Sequence, residues 1–216
     1  MLPIVLTGMP GSGKTTISKL LANDLGIKYF DIDELIIENE QKSISEIFAD
    51  FGERYFRQIE KQVVFNLFAC MQQKKAYEYK TCPPLEGPEK EPKNEAYFSV
   101  SRMGERSKSM ISMRGSCIIS LGGGTFEDEE TRKFLLKNSI VIYLKTTSRE
   151  LFERVCNNKE RPLLNKNMSI ENLSRILEKR EINYNQAHFI IDTTKISIEQ
   201  VLEEVKRGLS DDGIKC

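Results

Sequence analysis

Short apolar runs alternate along the chain with longer segments whose apolar residues recur at helical spacing. The apolar runs predict strands near Ile4, at Tyr29–Phe30, and over Cys117–Leu121, Ile140–Leu144 and Phe189–Ile191. Helical spacing predicts a helix that starts at Thr15 and further helices between the second strand and Phe68. Such alternation is typical of an α/β fold, so we predict a mostly parallel central sheet flanked by helices.

A polar segment breaks this alternation before the third predicted strand. From about Lys74 to Gly115 the chain carries four of its seven prolines among lysine, glutamate and serine residues, which predicts a polar, mobile insertion, 74–115, in a single domain, 1–216. Its apolar cluster, Ala96–Val100, could dock on the domain, bind a partner or form short isolated structure, and we favour weak docking. Because the insertion leads into the amino end of a strand, we predict that it lies away from the sheet edge that binds ligands.

The composition disfavours several classes of partner. The 216-residue chain has 32 basic and 32 acidic side chains, so no excess of charge favours nucleic acid or a membrane surface. Five widely spaced cysteines without a C-x-x-C pair predict free thiols. No apolar run is long enough to span a membrane, and the first strand starts too close to Met1 for a signal peptide, so we expect a cytoplasmic protein.

The segment Gly8–Thr15 matches the phosphate-binding pattern G-x-x-x-x-G-K-[ST], and it lies between a predicted strand and a predicted helix, as that pattern requires. In such a loop, backbone N–H groups and the N-terminus of the following helix bind phosphate oxygens. Lys14 would add a positive charge and the Thr15 hydroxyl a ligand for Mg²⁺. We therefore predict that a nucleoside triphosphate binds at Gly11, Ser12, Gly13, Lys14, Thr15 and Thr16.

Other polar residues and glycines follow predicted strands, where an open α/β sheet binds its ligands. Asp31 and Asp33 come directly after the second strand, and Gly122–Gly124 follow the third. Because the carboxyl ends of parallel strands share one edge of the sheet, we expect these residues to converge near the phosphate loop. Further along the chain, Gly52–Glu60 is predicted to lie on a helix, where Arg57 and Glu60 are three residues apart and can form an ion pair.

Taken in order, these motifs resemble those of shikimate kinases, and the resemblance covers nearly the whole chain outside the insertion. The motifs are the phosphate loop, Asp31-x-Asp33, G-E-x-x-F-R-x-x-E over Gly52–Glu60, Gly122-Gly123-Gly124, Arg161-Pro162-Leu163-Leu164, and R-x-x-x-Y at Arg180 and Tyr184. The resemblance implies a phosphate-loop kinase fold like that of nucleoside monophosphate kinases. It also implies transfer of the γ-phosphoryl group of ATP to the 3-hydroxyl of shikimate, a step towards chorismate and the aromatic amino acids, with Mg²⁺ as cofactor and a monomer as the state of assembly.

The resemblance assigns substrate binding to two arginines and an aspartate. Arg57 and Arg180 match the arginines that bind the carboxylate of shikimate, and Glu60 would steady Arg57. Asp33 matches the aspartate that contacts ring hydroxyls and orients or deprotonates the attacking oxygen.

Glycines and metal ligands complete the implied site. Gly122, Gly123 and Gly124 would bring backbone against the substrate, and Gly123 is the first choice for a direct contact. Asp31 matches the aspartate that holds Mg²⁺ through water, opposite the direct ligand Thr15.

The resemblance also implies a lid over residues 156–167, which would close over both substrates and exclude water. Arg161 of this lid would reach the transferred phosphate and share catalysis with Lys14 and Asp33. Arg154 occupies the position whose guanidinium stacks on adenine, and Asp192–Lys195 resembles the loop that lines the base pocket.

Two other interpretations stay open at this stage. One is another small-molecule kinase with a phosphate loop, acting on gluconate or a nucleoside monophosphate; the Asp31-x-Asp33 pair and the motif around Arg57 argue against it. The other is a non-catalytic binding module that resembles shikimate kinase and uses the insertion as an interaction arm. Such a module would be expected to lose Lys14, Asp33, Arg57 or Arg161, and all four are present.

Overall fold

The structure, a computed structural model, describes residues 2–71, 116–156 and 169–211. Within these ranges, strands β1 to β5 span Ile4–Thr7, Lys28–Asp31, Cys117–Ser120, Ile140–Lys145 and Phe189–Asp192. Helices α1 to α7 span Lys14–Leu25, Ile32–Glu40, Ile44–Met71, Glu129–Asn138, Ser148–Cys156, Ile170–Tyr184 and Ile198–Asp211, and a short 3₁₀ helix spans Thr125–Glu127.

The strands form one sheet in the order β2-β3-β1-β4-β5, and every neighbouring pair is parallel. Leu6 of β1 is paired with Ser120 of β3 on one side and with Ile142 of β4 on the other. The predicted α/β fold with a parallel sheet is therefore confirmed. Because all strands run the same way, the residues that follow β1, β2 and β3 meet at one edge of the sheet.

Helices cover both faces of the sheet because successive strand residues point to opposite sides. On one face, Val5 of β1 belongs to a core that includes Leu67 of α3. On the other face, Leu6 packs with Leu21 of α1 and Val205 of α7. The strands near the centre of the sheet are buried on both faces, which explains why they read as continuous apolar runs.

Helix α3 differs from the prediction at one residue. The motif over Gly52–Glu60 was expected to be helical throughout, but Gly52 has φ 78° and ψ 175°, so α3 consists of two helical parts that meet there. A positive φ of this size is accessible to glycine at little cost, which explains the glycine at the bend. The second part carries Arg57 and Glu60.

Residues 72–115, which contain the predicted insertion and the Ala96–Val100 cluster, lie outside the described residues. The residues that flank this segment are in contact with each other: the Cys117 thiol at the start of β3 lies 3.3 Å from Met71 Sδ at the end of α3. The Ser116 hydroxyl donates to the carbonyl of Leu2, before β1. Both flanks therefore lie at the amino ends of the central strands, opposite the edge that carries the glycine triplet.

Two cysteines in the described part of the chain, Cys70 and Cys117, are free thiols, in agreement with the prediction for these two.

Among the helices described, none has both the length and the apolar character that crossing a membrane would require. The predicted lid also falls outside the described residues, apart from the backbone of Cys156 at the end of α5.

Candidate active site

The phosphate loop connects β1 to α1 and turns on three glycines. Gly8, Gly11 and Gly13 have φ values of 141°, 86° and 92°, a range that side chains with a Cβ rarely adopt. A Cβ on Gly8 would also lie only 2.7 Å from the carbonyl oxygen of Leu144 in β4. The ammonium group of Lys14 reaches back over the loop and donates to the carbonyls of Gly8 and Met9, both at 2.9 Å. The positive charge of the Lys14 ammonium group is thus held against the loop at the N-terminus of α1.

Asp31 at the end of β2 lies directly against the phosphate loop. The Thr15 hydroxyl and the Tyr29 hydroxyl both donate to Asp31 Oδ2 at 2.9 Å, and the Asp33 N–H donates to Oδ1. Burial, together with the neighbouring Asp31 carboxylate, raises the pKa of Tyr29, so this phenol stays a neutral donor. A hydroxyl and a carboxylate side by side are the oxygen ligands that Mg²⁺ prefers.

Those two oxygen ligands are few for a metal site made of protein alone. Among the described residues there is no group of three or more His, Cys, Asp or Glu side chains that could hold a metal ion. Mg²⁺ commonly binds through one or two protein ligands while water and substrate phosphates complete its shell, so Thr15 and Asp31 fit such an ion.

The glycine triplet contacts three different parts of the molecule. A Cβ on Gly122 would lie 2.5 Å from Glu60 Oε1 and 2.9 Å from Asp33 Oδ1. On Gly123 it would lie 2.6 Å from Pro10 of the phosphate loop, and on Gly124 it would lie 2.5 to 2.6 Å from three guanidinium atoms of Arg57. Each glycine therefore leaves room for a neighbour that any side chain would displace.

Arg57 is held by two carboxylates from its own helix. Its Nη1 donates to Glu60 Oε2 at 2.7 Å, and its Nη2 donates to Glu53 Oε1 at 3.3 Å. Burial opposes the positive charge, but Glu60 and then Glu53 more than offset this effect, so the pKa of Arg57 is raised and the guanidinium stays charged. The predicted ion pair between Arg57 and Glu60 is present.

Arg180 reaches the triplet from helix α6. Its Nη1 donates to the carbonyl of Gly123 at 2.8 Å, and the hydroxyl of Tyr184, one turn further along, donates to the same oxygen at 2.5 Å. Burial raises the pKa of Tyr184 to about 12, although the nearby Arg180 charge acts in the opposite direction. The phenol is therefore a neutral donor at physiological pH.

Both arginines line a single cleft of about 300 Å³, whose wall also includes Glu60, Gly124 and Thr125. The guanidinium groups suit an anion such as a carboxylate, although the lining also includes Lys61 and four carboxylates, Glu53, Glu60, Glu127 and Asp128. Carboxylates at its margin, including Glu53, disfavour a second negative charge.

Arg154 lies away from the cleft, beside the loop after β5. Its Nη2 donates to Glu150 Oε1 at 2.6 Å and to the carbonyl of Thr193 at 3.0 Å. The structure thus brings Arg154 next to the predicted base-binding segment, Asp192–Lys195. Arg161, predicted on the lid, lies outside the described residues.

Sequence reasoning missed one member of the site and left another without a role. Thr125, directly after the triplet, donates from its hydroxyl to Glu60 Oε1 at 2.6 Å, and nothing in the sequence marks this contact. Tyr184 is part of the R-x-x-x-Y motif, but the motif gives it no role. Its helical spacing from Arg180 is visible in the sequence, whereas its hydrogen bond to the Gly123 carbonyl is not.

The parallel sheet, the phosphate loop and the anion cleft beside it define a small-molecule phosphotransferase of the phosphate-loop class. The family model for shikimate kinase matches residues 10–73 and 99–210. The shikimate kinase of Chloroherpeton thalassium is 32% identical to the chain, with 95% of the chain and 93% of the relative covered. That of Geobacter metallireducens is 34% identical, with coverage of 94% and 88%. The chain therefore belongs to the shikimate kinase family.

Solved structures agree on the fold. A shikimate kinase from Acinetobacter baumannii in complex with shikimate superposes with a TM-score of 0.71 at 24% identity, covering 100% of this chain and 96% of that one. A gluconokinase from Sinorhizobium meliloti gives a TM-score of 0.50 at 16% identity, with 97% and 91% covered. The fold is thus shared with other small-molecule kinases, whereas the family is that of shikimate kinase, a phosphotransferase.

Proposed function

We propose that this chain transfers the γ-phosphoryl group of ATP to the 3-hydroxyl of shikimate and forms shikimate 3-phosphate. The observation that carries the proposal is the meeting of Arg57 and Arg180 in one cleft at the glycine triplet, next to the phosphate loop. Guanidinium groups bind carboxylates through paired, charge-assisted hydrogen bonds. The cleft therefore suits a small ring that carries one carboxylate.

Asp33 supports the acceptor end of this proposal. It lies beside Gly122 and follows Asp31, which is bonded to Thr15 of the phosphate loop. A carboxylate at this point would bind ring hydroxyls, orient the attacking oxygen and accept its proton. Lys14, together with Arg161 on the lid, would stabilise negative charge on the transferred group.

The nucleotide and the metal would bind on the other side of the triplet. Thr15 would ligate Mg²⁺ directly and Asp31 would hold it through water. When bound, the ion neutralises charge on the β- and γ-phosphates. The guanidinium of Arg154, beside the Thr193 carbonyl, would stack on the adenine ring.

We further propose that the enzyme acts as a cytoplasmic monomer. One chain supplies both arginines of the cleft, and Cys70 and Cys117 are free thiols, as in proteins of reducing compartments. Sedimentation at equilibrium would test whether the chain is a monomer: a dimer that persists at nanomolar concentration would contradict this proposal.

The reaction is tested by coupled release of ADP from ATP and Mg²⁺, with shikimate, quinate, gluconate or AMP as acceptor. We expect strong stimulation by shikimate and little by gluconate or AMP. Preference for gluconate or AMP would reassign the cleft. Protein that binds ATP but is stimulated by no acceptor would instead be a binding module.

A set of variants tests the residue roles. Arg57→Ala and Arg180→Ala should mainly raise KM for shikimate, whereas Lys14→Ala should mainly lower kcat. Two exposed arginines on the same helices, Arg54 and Arg175, are matched controls whose alanine variants should leave both constants unchanged. If Arg57→Ala weakened ATP as much as shikimate, the assigned role of Arg57 would be wrong.

A further inference from the structure

Thr125 occupies an unusual position for a small polar residue. It follows the glycine triplet directly, begins the short 3₁₀ helix, and only 2% of its surface is exposed. Its N–H donates to the carbonyl of Gly122 at 3.2 Å, and its hydroxyl lies 3.0 Å from the same oxygen. The backbone turn thus fixes the direction of the Thr125 side chain, which donates to Glu60 Oε1 at 2.6 Å.

Glu60 is equally buried, with 2% of its surface exposed, and it uses each carboxylate oxygen for a different partner. Oε1 accepts from Thr125 and Oε2 accepts from Nη1 of Arg57. A buried carboxylate must be hydrogen-bonded, and two donors on opposite oxygens fix its rotation. The Thr125 hydroxyl therefore sets the plane in which Glu60 presents Oε2.

Arg57 depends on that plane because its second ion pair is weak, and its contact over the Phe56 ring, 5.2 Å from the centroid, does not fix the direction of the N–H groups. Glu53 is on the surface, with a side chain that is 69% exposed, and its oxygen lies 3.3 Å from Nη2. Exposed ion pairs of this kind hold a side chain loosely. Glu60 is thus the contact that aims the guanidinium of Arg57 across Gly124 into the cleft.

We propose that Thr125 is a positioning residue for the acceptor substrate. It acts through Glu60 on Arg57 and so sets the affinity for the substrate carboxylate, without touching the reacting atoms. This inference rests on the proposed function, in which Arg57 binds the carboxylate of shikimate.

The test replaces the hydroxyl and keeps the shape. Thr125→Val should raise KM for shikimate about tenfold, because a misaligned Arg57 would lose one charge-assisted hydrogen bond to the substrate carboxylate, with kcat and KM for ATP within about twofold. Thr125→Ser keeps the donor and should restore KM. As a matched control, Thr146→Val removes a buried hydroxyl that has no partner among the described residues, and it should change neither constant.

A double-mutant cycle separates positioning from general damage. If Thr125 acts through Arg57, then adding Thr125→Val to Arg57→Ala should raise KM for shikimate no further. Multiplicative effects in the double variant would overturn the proposal, and so would an unchanged KM in a folded Thr125→Val variant. Should Thr125→Val fail to fold, Thr125→Ala takes its place in the cycle.

The wild-type assay distinguishes this inference from the proposed function. If shikimate does not stimulate ADP release by the wild-type chain, the proposed function is wrong and the inference falls with it. If shikimate does stimulate release and the cycle is multiplicative, only the role of Thr125 is wrong. Calorimetric titration of shikimate without ATP should show the same loss of affinity for Thr125→Val as the kinetics.

Discussion

Gly124→Ala tests the site directly because the added methyl group would overlap with the guanidinium group of Arg57. The new Cβ would lie 2.5 Å from Nη1 of Arg57 and 2.6 Å from both Cζ and Nη2. Ordinary contact begins at 3.4 Å, so the guanidinium must move by about 0.9 Å. The backbone at Gly124, with φ −117° and ψ −7°, accepts alanine, and the long Arg57 side chain can move aside.

The expected effects on stability and on binding therefore differ. Replacing glycine by alanine at a compatible backbone stabilises a protein by about 0.4–1 kcal/mol, which offsets the cost of shifting the Arg57 guanidinium relative to Glu60, so the midpoint of urea unfolding should change little. If Arg57 binds the substrate carboxylate as proposed, a guanidinium displaced by this distance loses at least one hydrogen bond to it, which costs about 1.5–3 kcal/mol. We therefore expect KM for shikimate to rise about 10- to 100-fold, with KM for ATP unchanged.

The assay is the coupled release of ADP at saturating ATP, together with urea unfolding of each variant. Gly208→Ala on α7 is the matched control: its Cβ would meet Phe189 at 3.4 Å, an ordinary contact, so it should stabilise the fold and leave the kinetics unchanged. A folded Gly124→Ala variant with wild-type KM for shikimate would refute the placement of Arg57 against Gly124.

Three further predictions concern stability and the insertion. Tyr184→Phe should lower the free energy of unfolding by about 0.5–1.5 kcal/mol because it removes the hydrogen bond to the Gly123 carbonyl. Tyr143→Phe is the control and should not lower it, since the buried Tyr143 hydroxyl has no partner in the described structure. Equal losses in urea unfolding would contradict this prediction. Asn66→Leu should raise Tm, since both amide atoms of Asn66 are buried without partners in that same part of the chain, and a fall in Tm would show that the amide is satisfied. Deletion of residues 75–113 with a short linker should leave kcat within a few-fold, because the flanks meet at the edge opposite the triplet; a folded deletion variant without activity would refute this placement.

Most of the sheet could be predicted from the sequence because its three central strands, β1, β3 and β4, are buried on both faces. A strand such as Ile140–Lys145 must then be apolar at almost every position, and a continuous apolar run is visible without any knowledge of the neighbours. The order of the strands has no such local signal. That β3 lies between β2 and β1 depends on the crossover connections, and the sequence analysis predicted no strand order.

The site could be predicted where one motif contains the interacting residues. Arg57 and Glu60 share a helical turn, so their spacing alone indicated the ion pair. The partners of the glycine triplet are different: Thr125 and Glu60 are 65 positions apart, and Tyr184 and Gly123 are 61 apart. Sequence spacing at such distances carries no information about contact, so a threonine or a tyrosine there reads as ordinary core.

The bend at Gly52 shows the same limit at short range. Helical spacing across Gly52–Glu60 is regular, and a single glycine is tolerated inside a helix, so the pattern favoured one continuous helix. The observed φ of 78° instead divides α3 into two parts at Gly52, and the second part places Arg57 against Gly124. The regular spacing of the motif carries no signal for this bend.

In the proposed function, the arrangement around the glycine triplet would bring together two substrates of different chemistry. Gly123 lies against Pro10 of the phosphate loop, while Gly124 lies against Arg57 of the cleft. In the proposed function, these two adjacent residues, which follow a buried strand, would set the separation between the nucleotide and the acceptor. Because transfer of a phosphoryl group depends mainly on placing donor and acceptor in line, a rigid separation supplies what this chemistry needs most from the protein. The absence of side chains in the triplet matters as much as the charged groups, since a Cβ at Gly123 would displace Pro10 of the phosphate loop and a Cβ at Gly124 would displace Arg57.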